Sequence, residues 1–330
     1  MNHTRRQFIT LSAAGLTAAA LPLSLRAAAG PAPWMLGYSL YGMKMVPLAE
    51  SFDACARIGY SNVEICMFPG YPGEPKALSK DARAERRRQL NGLGLTVSSI
   101  MPRVGLGGDD SSQVKVRETL REAAALGQDL SSSAAPVVQA QLGGGKPDQW
   151  EGQKQRMVAQ LGAWAETLKE AGAVTVLGTH MGATINTPER LLWLHSQVAR
   201  PEIALYYNHI HYTLEGVPIE QSLPELIPFS RFLHLQDATG TPENKNYLLP
   251  GDPAGPTDFV RYFRGLARLG YRGPLVVHVS GKFSTAPGYE PLAVAELCHQ
   301  RMSAALRAAD ALARPAHGRA KSTSGEAGGI

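Results

Sequence analysis

The chain of 330 residues is poor in cysteine: Cys55, Cys66 and Cys298 are all it has, an odd number at wide spacing. That excludes a disulfide framework and a cysteine zinc site, and it makes each thiol a small buried side chain. No apolar run reaches the roughly 20 residues that a membrane span needs. The stretch from Ile9 to Leu25 is interrupted by Thr, Ser and Gly. No glycine-rich phosphate turn follows the first β-prone run, where the sequence reads Tyr38-Ser39-Leu40-Tyr41-Gly42, and this argues against a dinucleotide-binding doubly wound sheet. An excess of one charge is missing too. The formal charge is +5, but Arg5, Arg6 and Arg26 lie in the first 29 residues, where there is no acid, so the remainder is close to neutral. With no basic stripe interleaved with aromatics, a nucleic-acid partner has no electrostatic support.

What is present begins with Thr4-Arg5-Arg6-Gln7-Phe8-Ile9-Thr10, an Ala- and Leu-rich stretch, and Arg26-Ala27-Ala28-Ala29. These form a charged region, an apolar region and a small-residue cleavage site. The paired arginines before Phe8-Ile9 resemble a twin-arginine signal, which implies export of a folded chain, cleavage near Ala29 and a periplasmic protein with no membrane anchor. The expected organisation is a leader over 1–29, one domain over 30–313 and a disordered Gly-, Ala- and Ser-rich tail over 314–330.

Within the domain, short apolar β-prone runs alternate with longer helical patterns. The strands fall at 35–41, 62–68, 96–101, 136–141, 174–180, 203–208, 231–236 and 274–279, and the helices near 47–58, 79–92, 112–128, 151–171, 187–199, 218–226, 256–269 and 289–312. Eight such units predict an α/β fold, a single closed (β/α)8 TIM barrel. In that fold the polar residues at strand C-termini face the site. A period of two places Glu64 and Cys66, Gln139 and Gln141, Gly178 and His180, Tyr206 and Asn208, His234 and Gln236, and His278 and Ser280 on the inward faces. Five histidines, His180, His209, His211, His234 and His278, lie at or just past strands five to eight. Their convergence suits a transition metal, or a sugar pocket lined by hydrogen-bonding groups. Of His209 and His211 only one can face inward, and His211 is the better placed. Arg103, past strand three, is a candidate to hold a carboxylate or phosphate. Trp34, Tyr38, Tyr41 and Phe68 are candidates for the flat wall on which sugars stack. Asp237 is expected to cap the loop after strand seven or to orient His234.

Several stretches, taken in order, carry a resemblance: Gly59-Tyr60-Ser61-Asn62-Val63-Glu64-Ile65, Asn186-Thr187-Pro188-Glu189-Arg190-Leu191-Leu192, Asn208-His209-Ile210-His211, His234-Leu235-Gln236-Asp237-Ala238, and Leu269-Gly270-Tyr271-Arg272-Gly273-Pro274-Leu275-Val276-Val277. Over residues 35–312 the chain resembles the xylose isomerase-like barrels, the sugar phosphate isomerase/epimerase superfamily that also contains apurinic-site endonucleases. The resemblance implies one divalent metal, held by Glu on strand five, Asp on strand six, His on strand seven and Glu on strand eight. Those places hold Gly178, Asn208, His234 and His278 here. The two glutamates are also the family's acid and base, so their loss removes the standard two-carboxylate route.

Two readings follow. In one, the missing side chain at Gly178 leaves room for His180 to reach down, and His180, Asn208, His234 and His278 form a rebuilt site for Mn, Zn, Fe or Ni. Glu64 or His278 then acts as base with His211 nearby, on a carbohydrate or oxidised sugar held by Gln139, Gln141, Asn208, Arg103 and Tyr38. In the other there is no metal, and the barrel is a catalytically silent sugar-binding protein.

Overall fold

A computed structural model of the chain describes residues 34–131 and 135–313. The expected leader and tail lie outside the described residues. Eight parallel strands close a barrel: β1 (Leu36–Ser39), β2 (Asn62–Cys66), β3 (Thr96–Met101), β4 (Val137–Leu142), β5 (Val174–Thr179), β6 (Ile203–Tyr207), β7 (Ser230–Leu235) and β10 (Leu275–Val277), with β10 lying between β1 and β7. The helices that cover it are α1 (Leu48–Ile58), α2 (Lys80–Leu93), α3 (Asp110–Leu130), α4 (Trp150–Glu170), α5 (Pro188–Val198), α7 (Ile219–Leu226), α8 (Phe259–Arg268) and α10 (Pro291–Ala313). This is the closed barrel that the alternation of patterns predicts. Among the described residues no helix is long and apolar enough to cross a membrane.

Helix limits follow local chemistry. Ser79 opens α2 by accepting a hydrogen bond from the Ala82 amide at 3.2 Å, and Gly94 ends it in the left-handed region at φ 67°. The seventh-unit helix begins at Phe259, three residues later than its pattern suggests, because Pro256 precedes it and Asp258 supplies the cap. Several short elements have no counterpart in the sequence reading. They include the short helices α6 (Ile210–Thr213) and α9 (Gly281–Ser284), and an antiparallel hairpin of β8 (Asp237–Thr239) and β9 (Asn246–Leu248).

Each strand sends alternate residues to opposite sides. Val63, Ile65, Val138, Ala140, Leu177, Leu205, Leu233, Leu235 and Val277 face outward and pack with helix residues such as Phe52, Leu120, Trp164 and Phe263. The inward set changes character along the axis. Val174, Val176, Ala204, Phe232 and Val276 plug the barrel, with Tyr206 packed against them. Glu64, Gln139, His234 and Asn208 stand buried nearer the strand C-termini. The plug is thus the floor of a polar chamber, and burial of its side chains stabilises it by about 1.5–3 kcal/mol for each large one.

Candidate active site

Glu64 is fully buried at the middle of β2. Register places Ser39 of β1 and Ser99 of β3 directly beside it. Both hydroxyls donate to its carboxylate, Ser39 Oγ to Oε2 at 2.6 Å and Ser99 Oγ to Oε1 at 2.7 Å. From across the barrel on β7, His234 sets Nε2 at 3.1 and 3.0 Å from the two oxygens. His278, just past β10, brings Nδ1 to 3.8 Å from Oε2. Burial alone pushes the Glu64 carboxyl upward. The charge and hydrogen bond of His234, reinforced by His278, outweigh it and hold the group well below the usual carboxylate range. Glu64 is therefore an anion, each of whose oxygens meets a serine hydroxyl and His234 Nε2. Burial, then the neighbouring His234, depresses the pKa of His278, so it stands neutral at pH 7.

One ligand atom from each of Glu64, His234 and His278 lies within 4.8 Å of the others. That spacing could accept one cation, as in a two-histidine, one-carboxylate set with open positions. Beside them Asn208 Oδ1 is buried with no hydrogen-bond partner among the described residues. The Asn208 amide nitrogen donates to Gln236 Oε1 at 2.9 Å, which fixes its orientation and leaves Oδ1 as the spare acceptor.

The structure corrects the expectation for strand five. A Cβ on Gly178 would lie 2.2 Å from Cε1 of Tyr206 and 2.3 Å from its Cζ. The space where the resemblance implied a ligating glutamate is filled by the Tyr206 ring, which stacks on Phe232 at 5.2 Å and meets His234 edge-on. His180 does not reach down to join Glu64, His234 and His278. Its Nδ1 donates to the Met181 carbonyl at 2.9 Å, leaving Nε2 as the bare nitrogen, and its ring lies 4.9 Å from His211. His211 is held at both nitrogens: the Gln141 amide donates to Nε2 at 2.8 Å, and Nδ1 faces the Met181 sulfur at 3.1 Å. Burial lowers the pKa of both imidazoles, most strongly that of His211. Gln139 is buried beside the Tyr206 hydroxyl.

Toward solvent, the His278 ring stacks on Tyr41 at 5.1 Å, and Tyr41 stacks on Tyr71 at 5.7 Å. Phe68 packs edge-on against both tyrosines. Arg103 lies over the Phe68 ring. Tyr38 belongs elsewhere: successive residues of a strand face opposite sides, so with Ser39 turned inward Tyr38 is buried among the helices against Tyr60. Trp34 is also remote, bonded to Asp310 and covered by Arg272. Asp237 does not orient His234. It accepts from its neighbour's amide, Ala238 N, and from the Thr257 hydroxyl at 2.8 Å, and Thr257 in turn accepts from His209 Nε2 at 3.0 Å. A cavity of about 580 Å³ opens at the other end of the barrel, lined by Thr96, Ser98, Ser230 and Arg231, and none of the clustered histidines borders it.

Ser39, Ser99, Tyr71 and Met181 are the site residues that the sequence reading did not find. The same period-two rule applied to strands one and three points to the two serines. Tyr71 and Met181 sit in loops, where no period exists.

The comparisons agree with this fold. A xylose isomerase domain protein from Alicyclobacillus acidocaldarius is similar at 19% identity with a TM-score of 0.67, over 84% of this chain and 100% of that one. D-psicose 3-epimerase from Clostridium cellulolyticum, solved with D-tagatose, gives 16% identity and a TM-score of 0.64 over 85% and 100%. The IOLI protein with a bound zinc atom gives 18% and 0.68 over 84% and 98%. A search of curated proteins found no match. Residues 52–305 match a family profile, and the chain belongs to the xylose isomerase-like TIM barrel family.

Proposed function

We propose that this barrel is an enzyme that acts on a carbohydrate, moving a proton at the carbon beside a carbonyl, with one divalent metal held by Glu64, His234 and His278. The observation that carries the reading is the convergence of those three donors around one point in a buried chamber. Two neighbours in structure support it by what they hold, a zinc atom in one and D-tagatose in another. When bound, such a cation supplies Lewis-acid polarisation of substrate oxygens.

The chain's own residues divide the remaining work. Ser39 and Ser99 fix the Glu64 carboxylate in one orientation. Asn208, held by Gln236, offers Oδ1 to the metal or to a sugar hydroxyl. His180 is neutral, is oriented through Nδ1 and has Nε2 bare, so it is the base that takes the substrate proton. His211, with both nitrogens engaged, positions rather than accepts. Two imidazoles with one carboxylate favour zinc, iron or nickel over magnesium, which prefers oxygen donors. Export by the twin-arginine pathway, expected from Arg5 and Arg6, would favour a free or oxidised sugar over a sugar phosphate.

The test has two parts. Untagged protein should contain about one equivalent of transition metal per chain by mass spectrometry, lost in His234→Ala and in His278→Ala. The loaded protein should exchange a carbon-bound proton of a keto-sugar for solvent deuterium, and His180→Gln should slow this about 100-fold or more while keeping the metal. Protein that neither contains nor takes up metal, yet binds sugars, would establish the silent binding barrel instead.

A further inference from the structure

We infer that the sugar taken by this site carries a carboxylate, recognised by Arg103 with Lys44 beside it. The inference rests on the proposed function and names its substrate class. It starts from a column of rings. His234 and His278 stack at 4.5 Å and 29°, His278 and Tyr41 at 5.1 Å and 13°, and Tyr41 and Tyr71 at 5.7 Å and 11°. The column leads from the buried donors to the rim, and Phe68 closes its side. Two cations stand on this aromatic wall, Arg103 with Cζ 5.0 Å from the Phe68 centroid and Lys44 with Nζ 5.5 Å from the Tyr71 centroid.

Neither cation is spent. Both side chains are exposed. Among the described residues no carboxylate lies within salt-bridge distance of either, whereas Arg83, Arg86, Arg200 and Arg301 each have one. Arg190 is likewise consumed, by the carbonyls of Pro147 and Thr184 and by Asn186. A ring face holds a guanidinium in place without neutralising it. Arg103 therefore keeps its planar fork of donors, the arrangement that grips a carboxylate at two points. A flat, partly apolar wall ending in two unpaired cations fits a sugar acid better than a neutral sugar, which would leave both charges unanswered at the mouth.

Titration calorimetry on the full chain, with metal content measured on the same sample, tests this with D-glucuronate, D-glucose and glucose 6-phosphate. Glucuronate should bind about 10-fold or more tightly than glucose, with the margin shrinking at high salt. Arg103→Gln should abolish the margin, and Arg103→Lys should keep part of it, with metal content and melting temperature unchanged in both. Equal affinity for glucose and glucuronate overturns the inference and leaves the metal-site reading intact. Tighter binding of glucose 6-phosphate overturns it in favour of a phosphate. Absence of metal together with absence of all sugar binding strikes the proposed function itself, and the inference falls with it.

Discussion

At the scale of single residues, the site depends on contacts made across strands. Ser39 and Ser99 do not face the solvent chamber as ligands; they hold Glu64 from both sides. Replacing either with Ala should lower metal affinity about 10- to 100-fold, measured by competition with a chromogenic chelator, while the barrel stays folded. Gly178 should tolerate even one methyl poorly, since that carbon would meet the Tyr206 ring. Gly178→Ala is expected to cost about 1–3 kcal/mol in denaturant unfolding, and adding Tyr206→Leu should recover part of the loss. The inward direction of Glu64 was legible because β2 alternates cleanly, with Val63 and Ile65 in the core and Glu64 between them, but its place beside His234 and His278 was not, and the sequence reading took it for a base. The positions of His180 and Tyr206 were not legible either. Parity says which way a side chain points, but not whether a larger neighbour already fills the space.

At the scale of elements, helix and strand limits were readable wherever a cap or a period marked them. Gly94 is a clean case: it sits at φ 67° with open space around the missing Cβ. Gly94→Ala should therefore report backbone strain alone, about 1–2 kcal/mol, with Gly94→Asn costing less, both read from thermal unfolding. The β8–β9 hairpin was not readable, because Asp237-Ala238-Thr239 and Asn246-Tyr247-Leu248 are too short to show a period. The same shortness hid the surroundings of Asp237. The residue stands at the start of a strap, where burial raises its pKa to about 6, and Thr257 ties it to His209 rather than to His234.

At the scale of the whole molecule, the buried imidazoles set the response to acid. Burial pushes His209 down to about 3 and lowers His180 and His211 as well. The unfolded chain takes up protons on these groups below about pH 6.5, while the folded chain does not, so their contribution is complete above that pH and is lost as the pH falls. Metal-free protein in chelator should lose up to about 1.4 kcal/mol per pH unit for each such imidazole between pH 6.5 and 5. A flat melting temperature over that range would show that they are not buried neutral. Metal uptake should weaken in the same direction, because imidazole and carboxylate ligands bind a cation only in their deprotonated forms. The interlock of Gly178 with Tyr206 has a further consequence, for descent rather than for chemistry. A glutamate placed at 178 finds the ring in its way, and a smaller residue at 206 alone opens a void beside His234. Either change made first passes through a weakened barrel. A carboxylate at 178 is therefore out of reach of any single substitution that leaves the barrel intact, and the two positions can change only together.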